Sequence, residues 1–218
     1  MDYETLHVLY KSRQTLLKIL AARGYETKKY EKFGPVEISA MAAAGAGTFQ
    51  MDLERPAEAA TTQGGMTKCR VVYSINRIKN RINSFLEEQT EEDNETSVDP
   101  TSTELIVILL EPIVEAFHIA AMTALASKKL RVSFFQAHTI VNNPFDHVLV
   151  PKHEFLPASE HAEFLSHNRI KSKATLPLIK FHSDMIARLM GLLPGDIVKI
   201  TRPSPSAGEY ITYRVCAP

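Results

Sequence analysis

Residues 195–215 read GDIVKITRPSPSAGEYITYRV. Asp196 to Thr201 alternates apolar and polar residues, the period of a half-buried strand. The turn at 203–208 holds Pro203, Pro205 and Gly208. EYITYRV then sets Ile211, Tyr213 and Val215 on one face and Tyr210, Thr212 and Arg214 on the other. Upstream, Pro194-Gly195 marks a turn. Before it, a short helix is predicted with Ser183 as its cap, Ile186, Leu189 and Met190 on one face, and Gly191 closing it. An earlier helix takes Ser159 as cap, with Glu160 and Glu163 in its first turn. Leu149-Val150-Pro151 reads as a strand that cannot continue as a central one past the proline. This texture begins after Asn142-Asn143-Pro144. Residues 144–218 are therefore expected to form a small α+β domain with a mixed sheet and two short helices.

Farther toward the N-terminus, Leu105 to Leu110 (LIVILL) is a continuous apolar run of strand length, the mark of a strand covered on both faces. Cys69 to Ile75 reads as a second strand and Asn76 to Glu88 as a helix. An apolar helix is expected over 114–126, and short strands over Arg131–Phe135 and Thr139–Val141. The first helix is amphipathic through Leu6, Leu9, Leu16, Leu17 and Leu20, capped by Asp2 and ended by Gly24. Alanine-rich Val36 to Gly47 reads as helix, and 50–66 as irregular. Helices interleaved with buried strands give an α/β domain over 1–143. The acidic stretch 87–104, EEQTEEDNETSVDPTSTE, has almost nothing apolar to bury and is expected to be a mobile loop.

The 218 residues balance 25 basic against 25 acidic side chains, so no global field draws the chain onto nucleic acid. Cys69 and Cys216 make neither a disulfide framework nor a zinc site. The N-terminal MDYETLHVLYK has acids where a signal peptide has basic residues, and no apolar run reaches membrane-spanning length. The expectation is a soluble intracellular protein. Gly45-Ala46-Gly47 lacks the rest of a phosphate loop, and His147, His153, His161 and His167 lack metal-ligand spacing. No catalytic, cofactor-binding or metal residues are assigned, and no cofactor is expected.

The C-terminal segments resemble the fifth subunit shared by the eukaryotic nuclear RNA polymerases, a family whose archaeal relative consists of the second domain alone. Val148-Leu149-Val150-Pro151-Lys152-His153 is similar to the strand opening that family's assembly domain. Leu176-Pro177-Leu178-Ile179 is similar to its LPRI segment, and Asp184, Ile186-Ala187-Arg188 and Gly191-Leu192 to its DPVARYLGL helix. Gly195 to Ile200 with Arg202-Pro203-Ser204 resembles GEVVKIIRPS. Ala207-Gly208, Tyr210 and Tyr213-Arg214 resemble AGRYxxYR. The likeness covers about 70 residues. A weaker one reaches Thr15, Leu20, Arg23-Gly24-Tyr25, Phe135, Asn143 and His147.

The resemblance implies a non-catalytic subunit of a DNA-dependent RNA polymerase. An N-terminal jaw domain, 1–143, would lie near downstream DNA. A C-terminal assembly domain, 144–218, would dock on the largest subunit. The docking residues carried over are Pro151, Lys152, His153, Lys199, Arg202, Ser204, Gly208, Tyr210, Tyr213 and Arg214. Both halves together imply a eukaryotic or large-DNA-virus protein in the nucleus, in the nucleolus if dedicated to polymerase I, or in a viral factory or virion. Several family positions differ, namely Leu178, Lys180, Leu193-Pro194 and Glu209. Where the family's jaw presents Thr-Pro to DNA, this chain has Glu111-Pro112-Ile113-Val114-Glu115. Glu111, Pro112 and Glu115 are thus the DNA-proximal positions, with any DNA contact weak or indirect. The departures suggest a divergent paralogue or a viral version. The competing expectation is a free-standing transcription regulator or adaptor on the same fold.

Overall fold

The computed structural model describes residues 2–56, 66–90 and 99–218. The chain divides into two units, with the break between Asn143 and Pro144. The first begins with α1 (Tyr3–Ala22). Val8, Leu9, Leu16, Leu17 and Leu20 form its buried stripe. Asp2 stands at the N-cap without a side-chain cap bond. Gly24, at φ +88°, lets the chain turn back, so that Tyr25 N–H reaches the Leu20 carbonyl at 3.1 Å. Next come α2 (Pro35–Ala44) and β1 (Met51–Glu54). They are followed by β2 (Lys68–Ser74), α3 (Ile82–Thr90), β3 (Thr103–Leu109), α4 (Glu115–Lys128) and β4 (Arg131–Gln136).

The sheet order is β1-β2-β3-β4, antiparallel at β1–β2 and parallel across the rest. Two successive strand–helix–strand crossovers put both helices on one face, as the right-handed rule requires. There Phe85, Leu86, Phe117 and Ala121 pack on Leu105, Val107, Leu109, Val132 and Phe134. The alternate residues Ile106 and Ile108 face the other way and are equally buried. That is why the run at 105–110 lacks polar alternation. The outer edge of β1 is closed from within the unit. The Tyr30 hydroxyl accepts the Asp52 N–H at 3.1 Å and donates to the Asp52 carbonyl at 3.2 Å, while Glu26 N–H reaches the Glu54 carbonyl at 2.8 Å.

The second unit holds β5 (Lys152–Leu156), α5 (His161–His167), β6 (Leu178–Lys180), α6 (Met185–Met190), β7 (Ile197–Ser204) and β8 (Gly208–Ala217). The order is β5-β7-β8-β6, with β6 parallel to β8 and the other pairs antiparallel. His161 anchors the start of α5. Its Nε2 lies 3.0 Å from the Leu156 carbonyl, and its Nδ1 accepts from the Lys173 ammonium at 2.6 Å.

Several sequence expectations are corrected. Residues 51–54 are a strand, not irregular chain, because Met51 and Leu53 pair against Val71 and Cys69 and are buried. Thr139–Val141 is no strand; 137–140 make a 3-10 turn held by Thr139 Oγ1 donating to the Gln136 carbonyl. Val148 to Val150 form a turn, and β5 starts after Pro151, a position where a missing N–H is tolerated. The cap of α6 is Asp184, which accepts the Ala187 N–H at 3.0 Å, not Ser183. Ser159 lies in a 3-10 turn before α5 and makes no cap.

The acidic stretch 87–104 is only partly a loop. Residues 87–90 end α3, Thr103 and Glu104 begin β3, and 91–98 lie outside the described residues. Glu104 is 1% exposed. Its carboxylate meets Arg23 at 2.7 Å and Arg131 at 3.3 Å, and accepts the Tyr25 hydroxyl at 3.0 Å. Burial pushes the Glu104 carboxyl up, but Arg23 and Arg131 outweigh it and hold it below the usual carboxylate range. Arg23-Gly24-Tyr25 is thereby explained: the glycine turns the chain so that both neighbours close on one buried acid.

Candidate interaction surface

The register of the second sheet sorts its side chains onto two faces. In one set, Leu156, Ile197, Tyr213 and Val215 align across β5, β7 and β8. This face is covered by Phe164, Ile170 and Leu176, and the Phe164 and Tyr213 rings lie 4.3 Å apart. Lys152, Glu154 and Lys199 share it. Glu154 takes Lys152 at 2.6 Å and Lys199 at 3.8 Å.

The opposite set is His153, Ile200, Arg202, Tyr210, Thr212 and Arg214. With Pro151, Ile179 and Ile186 these residues line a groove of about 440 Å³. Its floor is apolar, since Ile179 and Ile200 are buried. Its walls are cationic and aromatic. The Arg202 guanidinium stands 4.7 Å over the Tyr210 ring, and Arg214 Nη1 donates to the Leu178 carbonyl at 2.9 Å. His153 Nδ1 lies 2.7 Å from the Pro151 carbonyl, which orients the ring. At the lip, Val148 and Leu149 are 97% and 83% exposed. An aromatic stacked on arginine beside exposed apolar residues has the composition of a protein interface.

The ten residues carried over for docking therefore do not form one patch. Pro151, His153, Arg202, Tyr210 and Arg214 line the groove, and Ser204 and Gly208 pair at the hairpin end beyond it. Lys152, Lys199 and Tyr213 belong to the other face, where Tyr213 is core and both lysines are engaged by Glu154. The alternation of EYITYRV already separates Tyr213 from Arg214. Asp184 and Ile186 are absent from the carried-over set. They reach the groove because the Asp184 cap sets the start of α6 there.

In the first unit, Glu111 is occupied. It accepts the backbone N–H groups of Ile78 at 2.7 Å and Lys79 at 3.2 Å, tying the turn after β2 to the end of β3. Pro112 and Glu115 are exposed. So are Arg77, Lys79 and Arg81, on the turn that Glu111 holds. Cys69 is a poor nucleophile, because burial and then Glu104 push its thiol well above the ordinary range. Among the described residues, no group of three or more His, Cys, Asp or Glu is placed to hold a metal ion, and no helix is long and apolar enough to cross a membrane.

Comparison with known proteins points to one family. Residues 142–216 match the family model described as RNA polymerase Rpb5, C-terminal domain. The DNA-directed RNA polymerase subunit Rpo5 of Archaeoglobus fulgidus is 53% identical over 70 residues, covering 32% of this chain and 90% of that protein. Rpo5 of Thermococcus kodakarensis is 47% identical over 73 residues, 34% of this chain and 87% of its own length. The DNA-directed RNA polymerases I, II, and III subunit rpabc1 of Dictyostelium discoideum is 43% identical over 89 residues, 41% of this chain. The match spans only 44% of that eukaryotic relative's length.

Proposed function

Because the chain belongs to the RNA polymerase Rpb5 family, we propose that it is a non-catalytic subunit of a DNA-dependent RNA polymerase, with 144–218 as its assembly domain and 1–143 as its jaw. The second unit docks on the largest subunit through the face that carries Arg202, Tyr210, His153 and Arg214. What supports this is that an archaeal polymerase subunit is matched over 90% of its length, that the family model falls on residues 142–216, and that among the described residues the second unit leaves an apolar-floored groove uncovered. The jaw lies near downstream DNA and touches it weakly. Glu115 repels phosphate, and Glu111 is held by the backbone N–H groups of Ile78 and Lys79. The site of action is the nucleus.

Affinity purification of the tagged chain tests the reading. The largest polymerase subunit should co-purify at equal stoichiometry, and mass spectrometry of the associated chains identifies which polymerase it serves. Arg202→Glu should lower that recovery about tenfold or more while the chain stays folded. Recovery of no polymerase subunit with the wild-type chain would overturn the role, and equal recovery of mutant and wild type would overturn the docking face.

A further inference from the structure

Helix α2 reads PVEISAMAAA, and only Ile38 among these ten residues is buried. A helix that is apolar on nearly every side is normally enclosed. Here Val36 is 78% exposed, and Tyr3 of α1 is 84% exposed. Between the two helices runs a groove of about 740 Å³, walled by Tyr3, Leu6 and Tyr10 from α1 and by Val36, Ala40 and Ala43 from α2. Tyr10 also lines a second cavity, of about 410 Å³, so the two are neighbours that share this side chain.

The second cavity is chemically different. It is lined by Arg13, which is 2% exposed and held between the Tyr30 and Phe33 rings at 5.6 and 5.5 Å. Arg13 Nη1 donates to the Phe49 carbonyl at 3.1 Å. Among the described residues its Nε and Nη2 have no hydrogen-bond partner. Among the described residues no carboxylate is paired with it. Glu31, which lines the same cavity, is engaged by the Thr27 hydroxyl at 2.5 Å. Lys18 stands exposed on the rim. Burial lowers the Arg13 pKa, with no paired acid to offset the cost. A buried guanidinium lacking a counter-ion is costly, and an anion from outside would complete it.

We propose that the α1–α2 groove and the Arg13 cavity form one docking site for an acidic, apolar segment of another protein. Its apolar side chains lie along Leu6, Val36 and Ala40, and its carboxylate is drawn to Arg13 and Lys18, which line the second cavity. Charge complementarity selects this occupant. The apolar length excludes a purely ionic ligand. A nucleic-acid strand would need a line of cations, whereas this site has one buried arginine and one lysine beside a glutamate. The inference goes beyond the polymerase reading, whose docking face lies in the second unit and which gives the first unit no protein partner.

The test uses the full chain and a fluorescein-labelled synthetic peptide of roughly twelve residues, with leucine and phenylalanine at helical spacing and aspartate at one end. Fluorescence anisotropy should show saturable binding. Replacing its acids by amides should weaken it about tenfold. Val36→Asp and Lys18→Glu, both at exposed positions, should each weaken it, and Arg13→Met should abolish it. Equal affinity for acidic and amide peptides would overturn the proposal, as would displacement of the peptide by a single-stranded DNA oligomer. If Arg13→Met does not fold by circular dichroism, the two surface variants decide: unchanged affinity in both overturns the site.

Discussion

Strand β3 of the first unit is buried along all seven of its residues, whereas β8 of the second, ten residues long, buries only Val215 and Cys216. What stands over each sheet accounts for this. In the first unit α3 and α4 cover one face, and on the other the enclosed Glu104 is matched by Arg23, Arg131 and Tyr25. In the second, Phe164 and Ile170 cover one face, and the other keeps arginine, histidine and tyrosine over an apolar floor. An enclosed charge with its partners serves its own fold. A charge left beside exposed apolar surface is free to serve another molecule.

The largest expected effect lies at the enclosed charge. Glu104→Ala should cost the first unit about 3–5 kcal/mol, because it strands two buried arginines. Hydrogen exchange followed by NMR would resolve the loss by unit, and equal loss of protection in both units would break the contrast. The same group sets an acid limit. Its folded pKa is depressed, so its contribution is fully present above the unfolded carboxylate value and is lost as pH falls through the folded one. Acid titration should therefore loosen 103–109 and 131–136, and the loss should be absent in Glu104→Ala.

Next comes Phe164→Ala, which uncovers Tyr213 and should cost the second unit about 2 kcal/mol. That unit has a core of its own, so a fragment of residues 144–218 should melt cooperatively in calorimetry; a featureless melt would show that it is not autonomous. Glu111→Lys should cost about 1–2 kcal/mol, since two backbone donors lose their acceptor. Glu115→Lys should cost roughly 0.5 kcal/mol, because Glu115 opens the first turn of α4, and should steepen the salt dependence of any DNA binding by about one phosphate contact. Filter binding across salt concentrations checks it, and the wild-type chain alone should retain no duplex at physiological salt. Gly208→Val should cost about 1 kcal/mol from φ +74° alone, because a Cβ there meets nothing within 4 Å. Smallest of all, Arg202→Glu should leave the melting temperature unchanged, which separates a docking residue from a structural one.

The parts with strong period are legible in the sequence. The apolar run at 105–110 predicts a strand covered on both faces, and the β7–β8 hairpin follows from alternation around a proline–glycine turn. Legibility ends where the partner is remote. Glu104 sits at the end of an acidic run, and nothing local shows that Arg23 and Arg131 enclose it. Met51–Glu54 is four residues long and is a strand only because β2 lies beside it. The docking residues that the resemblance supplies come from both strand faces at once, although the alternation separates them. What α5 covers depends on tertiary packing, which the sequence does not display.

The Tyr30 hydroxyl that seats itself on the Asp52 N–H and carbonyl has a consequence in time. Tyr30 leaves the ribosome 22 residues ahead of Asp52. The segment that stoppers the rim of the sheet is therefore already outside the exit tunnel when that rim emerges from it. The Glu26 N–H that meets the Glu54 carbonyl precedes its acceptor in the same way. During translation on crowded polysomes, the strand emerges next to its own stopper, before a neighbouring nascent copy can zip onto it.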